Sequence, residues 1–184
     1  MLSNLDILEA IKNKDLIIDP FDETNIRPAG LTFHLGDTLF RPKANGRVVD
    51  TSKNELPDYE EIKIKDSESY LLKSGEFIIG QIYEKIGISN KLSMMLEGRS
   101  TLARLGISVV QSAMILDTGQ EPKICALEIK NNGPNDVKIY HKMRVARAVV
   151  FELKTPASFD YISWKRYDKN DNGKPIVSNW EIKK

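Results

Sequence analysis

Residues 97–106 read Glu97-Gly98-Arg99-Ser100-Thr101-Leu102-Ala103-Arg104-Leu105-Gly106 and interrupt a series of strand-like segments. The residue types predict about one helical turn, which Ser100 can cap and Gly106 can end in the left-handed region. A capped turn points several backbone N–H groups out of its N-terminus, and two arginines stand beside them. Because N–H donors and guanidinium groups both match phosphate oxygens, the stretch favours an anion site. A connector whose arginines face water is the alternative.

The chain on either side of this turn is rich in short strand-like segments. One amphipathic helix is predicted at roughly Asn4 to Asn13, where Ser3 and Asp6 form an acidic variant of the capping box. Apolar and β-branched runs bounded by turn signals predict strands at Leu16–Ile18, Thr32–Leu35, Glu61–Ile64, Phe77–Tyr83, Ile107–Val110, Ile124–Lys130, Val137–Tyr140 and Val145–Leu153. Many short strands without intervening helices indicate an all-β sandwich or a distorted barrel.

The domain organisation is simple. No shift of composition divides the 184 residues, so we predict a single domain over residues 1–184. Residues 42–69 are polar and carry turn signals, which suits an exposed hairpin or loop. Residues 165–184 are rich in Lys, Asn and Asp and have little to bury. They are predicted to be either a mobile C-terminal tail that orders over a ligand or a subunit, or a frayed terminus.

Composition excludes several classes of function. Lys and Arg number 27 against 26 Asp and Glu, and this net charge of +1 argues against a polymeric nucleic-acid binder. One cysteine and two histidines are too few for an internal disulfide or the usual zinc site. No apolar stretch of membrane-spanning length and no signal peptide is found, so we expect a cytoplasmic protein without membrane contact.

The predicted strand Ile124–Lys130 carries the most informative carboxylate. Alternation places Cys125, Leu127 and Ile129 on one face and Glu128 on the other, among small and apolar neighbours. If that second face lines a pocket, burial would raise the pKa of Glu128 towards a range useful for proton transfer. If the face meets water, Glu128 is an ordinary surface residue. Upstream, Asp117-Thr118-Gly119 predicts a turn.

The order of these segments resembles the dCTP deaminase branch of the dUTPase superfamily over most of the chain. The most specific match is Gly98 to Gly106, close to the family signature Gly-Arg-Ser-Ser-Leu-Ala-Arg-Leu-Gly. Further similar elements are Leu2–Ile7, Leu16–Phe21, Pro28–Gly36, Gln111–Ala113, Leu116–Gly119, Leu127–Glu128, Asn132–Pro134 and Met143–Ala146. The resemblance implies a mainly β, β-clip fold and a homotrimer with active sites between subunits.

The resemblance also implies a substrate and a set of roles. The substrate would be a nucleoside triphosphate, dCTP, which carries Mg²⁺ on its phosphates, with no metal ligand from protein side chains. Glu128 would activate a water against C4 of cytosine. The rest of the implied site comprises Ser100 and Arg104 around the water and base, Arg99 and Thr101 at phosphates, Ala113 at the base edge through its backbone, Asp117 at the deoxyribose 3′-hydroxyl, and Ser112 and Lys174 as further substrate contacts.

Several positions depart from the family pattern near the implied substrate. They are Thr32 in place of an aspartate, His34 in place of an arginine, Val110 in place of a histidine, Ile115 in place of a bulkier aromatic or basic residue, and Gln120 in place of an aromatic. Three hypotheses stay open on the sequence. The chain is a dCTP deaminase with an altered sugar pocket, a dUTP diphosphatase or bifunctional enzyme that releases pyrophosphate, or a homologue that binds a nucleotide or partner without turnover.

Overall fold

The computed structural model describes residues 1–159, 161 and 172–176 of the chain. Of the predicted tail, residues 165–171 and 177–184 therefore lie outside the described residues. The described residues are mainly β. This architecture confirms the predicted fold class.

The N-terminal helix forms as its capping pattern predicts. Helix α1 spans Asn4–Lys12, and Asn13 is its C-cap. The Ser3 hydroxyl accepts from the backbone N–H of Asp6 at 3.3 Å, while a carboxylate oxygen of Asp6 accepts from the Ser3 N–H at 2.8 Å. These two bonds satisfy donors that the first helical turn would otherwise leave unpaired. Ile7 and Ala10 are buried against the sheet.

Twelve strands and one short second helix follow α1 in the described residues. The strands are β1 Leu16–Asp19, β2 Ile26–Arg27, β3 Gly30–Pro42, β4 Tyr59–Lys63, β5 Ser69–Leu72, β6 Phe77–Ile88, β7 Leu92–Gly98, β8 Ile107–Ser108, β9 Ile115–Leu116, β10 Gln120–Asn131, β11 Val137–Tyr140 and β12 Arg144–Glu152. Helix α2, Ser100–Arg104, lies between β7 and β8. Single 3₁₀ turns occur at Glu23–Asn25 and Thr51–Lys53.

Ten of the strands form one antiparallel sheet, curled into a half-barrel. Its main path runs β8-β10-β6-β3-β12-β7-β9, and β1, β2 and β4 pair along its sides. Strands β5 and β11 form a separate two-stranded sheet. The core fills the inside of the curl, and its largest fully buried side chains include Phe33, Leu35 and Leu127. Strand β10 therefore has one face in the core and one face outside.

Most strands differ from the prediction: β6 and β10 are longer than predicted, β4 is shifted, and β2, β5 and β9 are additional short strands. Strand β3 continues to Pro42, beyond the predicted end at Leu35, because a register shift between Leu35 and Leu39 accommodates the polar Gly36-Asp37-Thr38 stretch. Strand β7 was not predicted, since its two methionines do not signal a strand. Strand β8 ends at Ser108, although Val109 and Val110 are buried, because Gln111 turns the backbone to a φ of 44°.

Candidate functional site

An open cleft of about 720 Å³ lies on the outer face of β10. Its floor is formed by Ile124, Ala126 and Glu128, joined by Ile79 of the neighbouring strand β6. One wall is the segment 112–117, and residues 173–176 form another. The cleft brings together five residues that the sequence assigned to substrate or catalysis, namely Ser112, Ala113, Asp117, Glu128 and Lys174. A volume of this size fits a nucleoside-sized ligand.

Alternation along β10 places Glu128 in this cleft. Cys125, Leu127 and Ile129 are buried in the core, as predicted, and so Glu128 faces outward. The side chain is half-buried over the apolar surface of Ile79 and Ala126. Burial raises the pKa of the Glu128 carboxyl above its ordinary value of 4.5. The face of β10 that carries Glu128 therefore lines a pocket, which is the first of the two alternatives for this face.

The raised pKa gives a stability prediction. The folded state holds the Glu128 proton to a higher pH than the unfolded chain, so stability falls as pH rises from about 4.5 through the raised pKa. In the Glu128→Gln variant, the side-chain amide at position 128 does not ionise in this pH range. We expect its melting temperature to match the wild type below pH 4.5 and to exceed it at pH 7 to 8.

Thermal unfolding at fixed protein concentration across this pH range measures the effect. Glu121→Gln is the matched control, since Glu121 lies exposed on the same strand. This variant should follow the wild-type profile. A constant difference between Glu128→Gln and wild type at every pH would contradict the assignment of the titration to Glu128.

The turn that carries Asp117 is anchored at both of its sides. The Gln120 side-chain amide donates to the backbone carbonyl of Asp117 at 2.7 Å, and Gln120 is itself buried. The Thr118 hydroxyl donates to the carbonyl of Ser89 at 2.9 Å, and Gly119 adopts a positive φ of 69°. The predicted turn is confirmed. Gln120, which stands where the family pattern has an aromatic residue, thus supports the backbone at Asp117, and Asp117 lines the cleft.

The described part of the C-terminal segment covers one side of the cleft. The Gln81 side-chain amide donates to the carbonyl of Asn172 at 2.7 Å. A Cβ at Gly173 would lie 2.9 Å from a methyl group of Ile124, so the close approach requires glycine. Lys174 is exposed and lines the cleft beyond this contact. Sequence reasoning missed Gln81, although a polar residue within the apolar strand β6 was a usable signal.

Helix α2 presents its polar side chains to solvent. Ser100, Thr101 and Arg104 are exposed, while Leu102 is buried and anchors the turn. The prediction that Ser100 caps the turn is wrong, because Arg99 occupies the N-cap and makes no side-chain capping bond. The predicted end is confirmed, since Gly106 has a φ of 83° and packs on Gly133, where a Cβ would lie 2.5 Å from the Gly133 Cα.

The structure separates the predicted site residues into two groups. Glu128 and its four companions line the cleft, whereas none of residues 99–104 belongs to the described lining of that cleft.

The structure also shows the burial and contacts of the other residues that depart from the family pattern. The His34 Nδ1 lies 2.5 Å from a carboxylate oxygen of the buried Glu84, whose second oxygen accepts from the His34 backbone N–H at 3.1 Å. Val110 is part of the core, and Ile115 is 65% exposed beside the cleft. Thr32 is buried and contacts two arginines. Only Gln120 among these positions lines the cleft through a buried polar side chain.

In residues 1–159, 161 and 172–176, no three His, Cys, Asp or Glu side chains converge on a point that could hold a metal ion. Within the same ranges, no helix has both the length and the apolar character needed to cross a bilayer.

The described chain is thus a mainly β protein, a curled antiparallel half-barrel with a half-buried carboxyl in an outer cleft. The chain belongs to the dCTP deaminase-like family, whose model matches residues 1–153. A dCTP deaminase of Haloarcula marismortui is 34% identical over 166 residues, which cover 88% of this chain and 85% of that protein. A "dCTP deaminase, dUMP-forming" of Dictyoglomus turgidum is 32% identical over 187 residues, covering 99% and 95%.

A solved structure supports the fold independently. The crystal structure of 2′-deoxycytidine 5′-triphosphate deaminase from Agrobacterium tumefaciens superposes with a TM-score of 0.62 at 19% sequence identity. The match covers 81% of this chain and 47% of that chain, so this protein spans about half of the larger molecule.

Proposed function

We propose that the protein hydrolyses dCTP to dUTP and ammonia. The observation that carries the proposal is the Glu128 carboxyl, half-buried on an apolar floor in a cleft of nucleoside size. Relatives at 34% and 32% identity are named dCTP deaminases, which agrees with this substrate class. Burial raises the pKa of this carboxyl, which favours the proton acceptance and return that hydrolytic deamination requires.

The proposed reaction uses Glu128 twice. The carboxylate removes a proton from a water, whose oxygen forms a bond to C4 of cytosine. The addition breaks the C4–N3 double bond, and the proton held by Glu128 passes to N3. Glu128 then carries the proton of the new C4 hydroxyl to the amino nitrogen, the C4 carbonyl forms as the bond from C4 to the amino nitrogen breaks, and ammonia leaves. Because one water enters and one ammonia departs, cytosine becomes uracil without a change of oxidation state. Ser100 and Arg104 of a neighbouring copy would hold the water and stabilise the developing charge.

The remaining contacts position the nucleotide. The backbone of Ala113 and the hydroxyl of Ser112 would meet the edge of the base, and Asp117 would accept from the 3′-hydroxyl of the sugar. Arg99 and Thr101 of the neighbouring copy, with Lys174, would contact phosphate oxygens. Mg²⁺ would arrive on those phosphates and offset their charge, with no protein side chain as ligand.

The two separated groups of site residues favour a homotrimer. In a closed ring, the α2 turn of each copy can meet the Glu128 cleft of the next, which completes one site per interface. Two large apolar side chains support contact in these regions, because Leu105 beside α2 is 47% exposed and Ile115 at the cleft is 65% exposed. We propose that this trimer acts in the cytoplasm on a soluble nucleotide.

A second candidate is a bifunctional enzyme that goes on to release dUMP. Asp117 lines the same cleft as Glu128, and the relative from Dictyoglomus turgidum is named as dUMP-forming. In this reaction a second water attacks the α-phosphorus of dUTP, the α–β phosphoanhydride bond breaks, and pyrophosphate leaves. Asp117 would orient that water.

One incubation series tests both candidates. The purified full-length chain receives Mg²⁺ and either dCTP or dUTP, and ammonia and pyrophosphate are measured separately. We expect ammonia from dCTP, and pyrophosphate from both nucleotides if the second candidate also holds. Saturable dCTP binding without ammonia release would reject deamination and favour a non-catalytic homologue. Pyrophosphate from dUTP without ammonia from dCTP would identify a dUTP diphosphatase.

A further inference from the structure

The turn that joins β10 to β11, residues 131–136, packs against the C-terminal end of helix α2. The backbone N–H of Asn132 donates to the carbonyl of Gly106 at 2.8 Å. A Cβ at Gly133 would lie 2.2 Å from the carbonyl oxygen of Leu105, so the backbones of the turn and of α2 are in direct contact. Because the contact leaves no free space, a shift of the turn displaces the end of α2.

The side chain of Asn131 holds this turn in place. Asn131 is 0% exposed, and its amide N–H groups donate to the carbonyl of Asn135 at 2.8 Å and to that of Leu72 in β5 at 3.2 Å. Its amide oxygen accepts from the backbone N–H of Gly133 at 3.0 Å. One buried side chain thus closes the turn and fastens it to the two-stranded sheet, and loss of these bonds would leave buried polar groups unpaired.

Ser74 supplies a second support for the same turn. Its hydroxyl donates to the carbonyl of Gly133 at 2.7 Å, and its backbone N–H donates to the Asp136 carboxylate at 2.8 Å. Gly133 is thereby held at its N–H by Asn131 and at its carbonyl by Ser74.

The two ends of α2 have different supports. The N-terminal end follows β7, whose last residue, Gly98, pairs with Ala146 of β12. The C-terminal end, which carries Arg104, rests on Gly133, and the next strand residue, Ile107, pairs with Asn131. A change at Asn131 should therefore move the Arg104 end of α2 more than the Arg99 end. Glu128 on the same strand remains paired with Ile79 of β6.

We propose that Asn131 is a positioning residue, which sets the place of Arg104 through Gly133. The inference rests on the function proposed above, in which Arg104 stabilises charge that develops at the pyrimidine ring. Misplacement of such a group by about 1 Å lowers the rate by about 10²-fold. The inference adds to that function a residue that lies beneath the turn and acts through α2.

Steady-state kinetics of ammonia release from dCTP, well below the melting temperature of every variant, test the role. Asn131→Ala should lower kcat by about 10- to 100-fold and leave KM within about threefold, because the phosphate contacts proposed for Arg99 lie at the other end of α2. The double variant Asn131→Ala/Arg104→Ala should be no slower than Arg104→Ala, since the effect of Asn131 passes through Arg104.

Two further sets of variants separate position from stability. Ile7→Val removes one buried methyl group from α1, so it should lower the melting temperature and leave kcat unchanged. Ser74 is exposed, and Ser74→Ala should fold and lower kcat by about threefold. Ser74→Thr keeps the hydroxyl and should retain the wild-type rate. If Asn131→Ala does not fold, a wild-type rate in Ser74→Ala would overturn the proposal.

Hydrogen exchange of residues 100–106 gives a measurement that needs no turnover. Asn131→Ala should exchange about tenfold faster there than the wild type, and Ile7→Val should not. Unchanged exchange in Asn131→Ala, an equal loss of rate in Ile7→Val, or a double variant slower than Arg104→Ala would overturn the proposal. Faster exchange in Asn131→Ala together with a wild type that releases no ammonia would reject the proposed function and leave the support of α2 by Asn131 in place.

Discussion

Glu128→Gln is expected to lower the rate of ammonia release from dCTP by about 10³-fold. The substitution keeps the size and the polar end of the side chain but removes the carboxylate that accepts the proton of water, and general acid–base catalysis is worth about 10² to 10⁴ in rate. Substrate affinity should change little, because the floor of the cleft stays filled. Steady-state rates together with equilibrium binding of dCTP measure the two effects separately.

The matched control is Glu121→Gln on the same strand, which should keep the wild-type rate because Glu121 lies exposed and outside the described lining of the Glu128 cleft. Circular dichroism and size exclusion would verify that both variants fold and assemble alike. A Glu128→Gln enzyme with more than about one tenth of the wild-type rate would remove Glu128 from the role of general base.

The floor of the site could be predicted from the sequence because strand alternation has a fixed period. Three apolar residues at alternate positions of β10 commit one face to the core, and Glu128 must then point the other way. The turn at Asp117 and the left-handed Gly106 follow from similarly local rules. Each of these predictions depends on a few neighbouring residues, and the structure confirms them.

Other features depend on contacts that local patterns do not encode. The extension of β3 to Pro42 needs a register shift against β6, and the strand β7 is stabilised by its position between β12 and β9. Gln81 gains its significance from Asn172, 91 residues along the chain. Ser100 looked like a cap because its residue type is typical of caps, whereas the backbone places Arg99 there.

The sequence motifs alone do not show which of the predicted site residues line the cleft of a single chain. Glu128 and Arg104 are 24 positions apart in sequence, and a motif comparison places them in one active site. Their locations in the structure differ, since Glu128 lines the cleft and Arg104 is exposed on α2. In the proposed trimer, Glu128 of one copy and Arg104 of the next share one active site, so a test of the assembly is also a test of the mechanism.

Complementation between two inactive variants should restore activity. Glu128→Gln chains keep an intact α2 turn, and Arg104→Ala chains keep an intact carboxylate. Alone, each variant should be slowed by about 10²-fold or more. When the two are co-expressed in equal amounts with different tags, a site is complete if its carboxylate comes from the second variant and its turn from the first. Random assembly of a cyclic trimer gives this combination at about one quarter of the sites.

Ammonia release by the doubly tagged, purified hetero-oligomer checks this expectation, and recovery to about one quarter of the wild-type rate or more is the expected result. The control is the same pair of chains mixed after folding, under conditions without subunit exchange, which should stay inactive. If Glu128 and Arg104 of the same chain acted together, every site in the mixture would carry one defect, and co-expression would recover nothing. Recovery therefore requires the carboxylate of one copy and the turn of another to meet at one pyrimidine ring.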